Sequence, residues 1–286
     1  MYFGSVKFFK NMLLVFIILI ISTLSCLAII YHHRWVTASD GSSEAVSAIG
    51  NHIQTDISTE TIDYQTRYED FYAPQVYDAT HRQSGVIYLT FDGGLPDDLP
   101  EILNLLEEQG VKATFFVSGS ADMLNPDSLQ AIAAAGHTIG FGSWSSDYFT
   151  LYSSVDAYLA DVYQLFTYLR DTTGITPSVF RFPGGSVNSY NASFYRELIA
   201  EMIRRGFVPC DWNINLAEMN GSYSAQTTVD TVISRLGTLD RAIISLPTDR
   251  SSGDLLSPLI IQLQESGFSC EALQSNTKPV LFAYPE

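Results

Sequence analysis

The chain predicts a distorted seven-stranded α/β barrel preceded by one membrane-spanning helix, and three observations carry that reading. From Gly85 onward, short runs rich in β-branched and aromatic residues alternate with stretches of helical period, the pattern of parallel strands and covering helices. Polar residues able to do chemistry fall at the carboxyl ends of those runs, where barrels of this kind carry their sites. Ahead of them, Met12 to Tyr31 runs without a charge for about the 20 residues a helix needs to cross a bilayer.

Residues 1–35 read as a cytoplasmic tip and anchor, because Lys7 and Lys10 precede the apolar run. A single-pass cell-membrane protein with its globular part outside the cell follows. The alternative is a cleaved signal peptide ending near Cys26-Leu27-Ala28, but the run exceeds the 7 to 15 residues, roughly, of a signal core. A lipid-attachment site at Cys26 is disfavoured by Thr23. Residues 36–84 are rich in Ser, Thr, Asp, Gln and Tyr without a sustained period, which predicts an extracytoplasmic spacer. Residues 85–286 form the domain.

Within it the predicted strands are Val86 to Phe91, Ala113 to Val117, Thr138 to Phe141, Ser178 to Phe182, Phe207 to Trp212, Ala242 to Leu246 and a weaker run from Phe268 to Leu273. Leu99, Ile102, Leu103 and Leu106 recur at helical spacing behind Asp97 or Asp98 as cap, and Val155, Leu159, Val162, Phe166 and Leu169 do the same. Asn191 to Arg205, Thr227 to Leu236 and Leu255 to Ser266 complete the helices.

Every one of the 31 acids lies after Arg34, against 12 basic residues there, so the exported part carries a net −19. Such a surface repels phosphate backbones, and nucleic acid is excluded as a partner. Beyond the anchor, Cys210 and Cys270 are either one disulfide pair or two separate buried thiols; the apolar setting of Cys210 favours the second.

Five stretches carry further information. Leu89 to Gly94 reads LTFDGG, with KATFF following at Lys112 to Phe116. Gly136 to Tyr148 reads GHTIGFGSWSSDY, Arg181 to Ser186 RFPGGS, Asp211 to Asn213 DWN, and Arg241 to Thr248 RAIISLPT. Together, over Ser84 to Val280, they resemble the polysaccharide deacetylases (NodB-homology domain, carbohydrate esterase family four). The resemblance implies a (β/α) barrel of that type and hydrolysis of N-acetyl groups on a glycan of peptidoglycan or chitooligosaccharide type. It makes Asp92 the catalytic base, Arg181 the residue that orients it, and Asp211 the partner of a general-acid histidine. It makes Trp212, with Phe182, Pro183 and Gly184, the substrate-binding set. An architectural ion pair for Arg181 and Asp92, and a core aromatic for Trp212, are the competing readings.

The resemblance also shows what is missing. The family binds a divalent metal such as zinc, but its ligand positions here are Gly93, Gly142 and Ser146, and the general-acid position is Pro247. Counting histidines makes the same point without alignment: His32, His33, His52, His81 and His137 are all there are, and none follows His137, itself expected to be structural. An amide needs its carbonyl polarised and its attacking water activated, and the leaving amine needs a proton. No metal cofactor is therefore expected. Three functions remain, and two lead: a degenerate deacetylase that binds N-acetylated glycan or a protein partner without turnover, and an active de-N-acetylase with a rebuilt site, for instance one using Asp92, Asp147 and Asp249 as oxygen ligands. A purely structural envelope protein is a third.

Overall fold

The computed structural model describes residues 63–74, 84–219, 224–237, 239–247 and 253–282. The expected anchor, most of the expected spacer, Thr248 and Asp249 lie outside them. Among the described residues no helix is long and apolar enough to cross a membrane.

In chain order the elements are α1 (Asp63–Thr66), β1 (Val86–Gly93), α2 (Leu99–Glu108), β2 (Thr114–Val117), α3 (Pro126–Ala134), β3 (Thr138–Phe141), α4 (Tyr148–Leu151), α5 (Val155–Thr173), β4 (Val179–Phe180), α6 (Tyr195–Arg204), β5 (Val208–Pro209), β6 (Ile214–Asn215), α7 (Ala225–Leu236), β7 (Arg241–Pro247), α8 (Gly253–Glu265) and β8 (Ser269–Cys270). Seven parallel strands follow one another as β5-β4-β3-β2-β1-β7-β6, and β8 pairs with the foot of β1. Side-chain caps set several helix starts: Asn125 accepts from Asp127 N, Ser154 from Ala157 N and Ser224 from Thr227 N. Asp98 occupies the cap position of α2 but makes no side-chain cap bond, contrary to expectation; Pro at the first turn removes an amide there.

β1 is buried along both faces, as a central parallel strand must be. Its Ile87, Leu89 and Phe91 join the large core under the helices. Its Val86 and Tyr88 face the barrel interior with Phe116, Val179, Val208, Cys210, Ile243 and Leu273. The predicted strand Phe207 to Trp212 shortens to two residues, and a further strand that was not predicted follows it. Val208 and Pro209 pair with β4, whereas Ile214 and Asn215 pair with β7 on the other edge. Four residues link the two edges, a short span at about 3.5 Å per residue, so the barrel has a seam there. Among the described residues Val280 bridges Cys210 at that seam.

Residues 63–74, expected within the spacer, pack on this domain. Phe71 is fully buried among Phe141, Phe166 and Phe207. The fully buried Arg205 side chain donates to the carbonyls of Tyr64, Arg67, Tyr68 and Phe71 and pairs with Glu201. A buried guanidinium is tolerated only with its donors satisfied, and this segment satisfies them.

Candidate functional site

Period-two alternation along β1 places Thr90 and Asp92 on the interior face already occupied by Val86 and Tyr88. Asp92 thus arrives at the carboxyl end of the barrel, level with Phe116 and Pro247. Arg181, just beyond β4, reaches back to it. Its Nη1 donates to Asp92 Oδ2 and, at 2.9 Å, to Thr90 Oγ1. Its Nε donates to Cys210 O at 2.6 Å and its Nη2 to Asp211 O at 3.3 Å. The guanidinium lies 4.2 Å from the Phe116 ring centre and 5.5 Å from that of Trp212. Ser245 Oγ donates to the same Asp92 Oδ2 at 2.5 Å. Among the described residues no donor reaches Oδ1, so a carboxylate that is 27% exposed keeps one free acceptor.

Asp92 and Arg181 line a cleft of about 820 Å³ together with Phe182, Pro183, Gly184 and Trp212, and with Gly93, Gly142 and Ser146. The sequence-derived set therefore converges, with one exception. Asp211 is 1% exposed and lies behind the cleft wall. Its Oδ1 accepts from Ser186 N at 2.9 Å; its Oδ2 accepts from Ser186 Oγ at 2.5 Å and Phe282 N at 2.7 Å. Burial pushes its pKa up, opposed by those donors and by Arg181. The carboxylate is committed to fastening the RFPGGS turn to residues 280–282. Trp212 is half-buried between Arg181 and Phe282, whose ring it meets edge-on at 4.9 Å, so it lines the cleft on one side while packing against the interior cluster on the other.

The opposite wall is held by Asp161 of α5, which accepts from Trp144 N at 2.8 Å and Ser145 N at 3.0 Å. Burial raises the Asp161 pKa against those two donors. In this wall Gly142 carries no side chain, and a Cβ there would lie 2.2 Å from Ser118 Oγ. Gly93 has φ +118°, a region that strains any other residue. Asp92 is the sole carboxylate lining the cleft among the described residues, no imidazole joins it, and one of its oxygens already serves Arg181 and Ser245. Zinc sites take three or four protein ligands. The described cleft residues do not supply a zinc ligand set, and no group of three or more His, Cys, Asp or Glu suited to a metal occurs among the described residues. Asp147 is exposed and caps α4 through Phe149 N and Thr150 Oγ1.

His137 stands at the foot of β3, away from the cleft end. It is buried, accepts from Ala113 N through Nδ1, and its pKa is lowered to about 4 by burial and by Lys112. Cys210 and Cys270 are separate free thiols, each pushed up to about 12 by burial.

The polysaccharide deacetylase family profile matches residues 79–203. A relative from Bacillus subtilis named "Putative polysaccharide deacetylase YheN" is 31% identical over 206 residues, 68% of this chain and 69% of the relative. The chain belongs to the polysaccharide deacetylase family. A peptidoglycan-N-acetylglucosamine deacetylase of Bacillus cereus is 30% identical over 143 residues, half of each chain. Among solved structures, the catalytic domain of peptidoglycan N-acetylglucosamine deacetylase from Eubacterium rectale superposes with a TM-score of 0.64 at 28% identity, covering 70% of this chain and 94% of that one. The seven parallel strands described above are the barrel of this family.

Four cleft or support residues lie outside the sequence-derived set: Ser245, Ser118, Tyr148 and Asp161. Ser245 sits two residues after Ile243 on the interior face of β7, so strand parity alone pointed it inward. The other three act through contacts distant in sequence, and nothing local marks them.

Proposed function

We propose that this polysaccharide deacetylase-family protein binds N-acetylated glycan of peptidoglycan or chitooligosaccharide type without hydrolysing it by metal chemistry, and that Met12 to Tyr31 holds it at the outer face of the cell membrane. The observation that carries the reading is a cleft whose recognition framework is built while its ligand positions are Gly93, Gly142 and Ser146. Asp92 offers Oδ1 to a sugar hydroxyl or an amide N–H, Arg181 and Ser245 fix the carboxylate, and Trp212 supplies an apolar wall. The relatives named for peptidoglycan support the ligand class.

Hydrolysis demands more than the cleft supplies. A lone carboxylate acting as base gives roughly 10² to 10⁴-fold acceleration, far short of the 10⁶-fold or more typical of enzymes. The test is acetate release from peptidoglycan and chitooligosaccharides with added divalent metals, run beside a binding measurement on the same ligands. Binding without acetate release is expected. Metal-dependent release that disappears in Asp92→Asn would instead establish an active de-N-acetylase with a rebuilt site.

A further inference from the structure

The cleft does not end at Trp212. Two aromatic pairs carry its wall outward, each with one ring lining the cleft and the other exposed. Tyr148 lines it and meets Tyr190 edge-on at 5.7 Å; Trp212 lines it and meets Phe282 edge-on at 4.9 Å. Tyr190 and Phe282 are 49% and 47% exposed. Both pairs rest on one turn: a Cβ at Gly184 would lie 3.2 Å from the Tyr148 ring, and one at Gly185 would lie 2.2 Å from the Phe282 ring. The two glycines, both at positive φ, let the rings close over the backbone on either side of the turn. The result is a shelf of four rings along the RFPGGS turn, with no charged side chain among the four.

Exposed aromatic side chains gathered at the mouth of a cleft mark a binding surface. Rings of this kind supply rigid contact area at low entropic cost. The face of a pyranose that presents C–H groups is apolar and its edge carries hydroxyls, which is the complement of this arrangement: rings along the shelf, serine hydroxyls and the free Asp92 Oδ1 inside. We infer that Tyr190, Tyr148, Phe282 and Trp212 form an extended platform on which consecutive sugars of an N-acetylated glycan chain lie, so that the protein recognises polymer and not a single sugar. This rests on the glycan-binding reading above and adds to it which side chains set chain-length preference.

The test is calorimetric binding of N-acetylglucosamine and of its β-1,4-linked disaccharide and tetrasaccharide to purified full-length protein and to Tyr190→Ala, Phe282→Ala and Phe149→Ala. All three residues are exposed, so the variants keep the core. Phe149, though 80% exposed, makes no ring contact with the shelf among the described residues and serves as control. The tetrasaccharide is expected to bind at least about tenfold tighter than the monosaccharide. Tyr190→Ala and Phe282→Ala are expected to weaken the tetrasaccharide about three- to tenfold each, the range of one aromatic contact. They leave the monosaccharide unchanged, and Phe149→Ala leaves both unchanged. Equal affinity for all lengths, or indifference to Tyr190→Ala and Phe282→Ala, overturns the platform while leaving glycan binding in place. Failure of every sugar to bind overturns the glycan reading itself, and the platform with it.

Discussion

Asp211 distinguishes an architectural remnant from a working catalytic group, and Asp211→Asn is the perturbation that reads it. The carboxylate is 1% exposed and accepts from Ser186 N, Ser186 Oγ and Phe282 N, with both oxygens used. Asparagine keeps one acceptor oxygen and turns an NH2 toward at least one of those donors. Each buried donor left unsatisfied costs about 1–3 kcal/mol, and hydrogen bonds to a charged acceptor contribute about 1.5–3 kcal/mol. Burial already pushes the Asp211 pKa up, so neutralising the group recovers part of that cost. The net expectation is about 2–4 kcal/mol of lost stability, read as a shift in urea midpoint at unchanged slope, or a fall in Tm of about 5–15 °C for a domain of this size. Hydrogen exchange at Phe282 N should accelerate with it. A change within about 0.5 kcal/mol, the range of an ordinary surface substitution, would refute the fastening role.

Three further outcomes follow from the same geometry. His137 has a folded pKa near 4 against a usual 6.5, so the unfolded chain binds the extra proton between those values. Stability is complete above pH 6.5 and falls by about 3 kcal/mol as pH drops to 4, a dependence that His137→Phe should flatten in pH-resolved urea titrations. Arg205→Met strands four backbone carbonyls and should cost about 3–5 kcal/mol, with limited proteolysis cutting first within residues 63–74. Restoring ligands by Gly93→Asp, Gly142→His and Ser146→His should give little zinc affinity by calorimetry. Adding Ser118→Gly should raise it, because Ser118 Oγ occupies the space a Gly142 side chain needs, while strain at Gly93 keeps a cost of about 1–3 kcal/mol.

The strands were legible from β-rich runs alternating with helical period, and the cleft residues from the family resemblance carried by LTFDGG, RFPGGS and DWN, stretches that lie at strand ends where barrels carry sites. What failed was non-local. Phe207 to Trp212 reads as one β-rich run, yet only Val208 and Pro209 form a strand there, Pro209 donates no backbone hydrogen bond, and the chain pairs with the other edge at Ile214 and Asn215, beyond the run. Residues 63–74 read as spacer because no period runs through them; they are ordered by Arg205, more than 130 positions away. Asp211 sat in a recognisable motif, but that its carboxylate accepts from Ser186 and the backbone of Phe282 was not readable there, because those partners are distant in sequence. The metal positions were readable as absences, but not that Ser118 fills one of them and Gly93 backbone geometry disfavours another.

The proposed function rests on a cleft that keeps the recognition framework of its family without a metal centre. Zinc titration of the purified full-length protein by calorimetry, with metal content measured on the protein as isolated, tests it most directly. No stoichiometric zinc is expected, and no heat assignable to a site that Asp92→Asn removes. One equivalent of zinc, retained through dialysis and lost in Asp92→Asn, would contradict it.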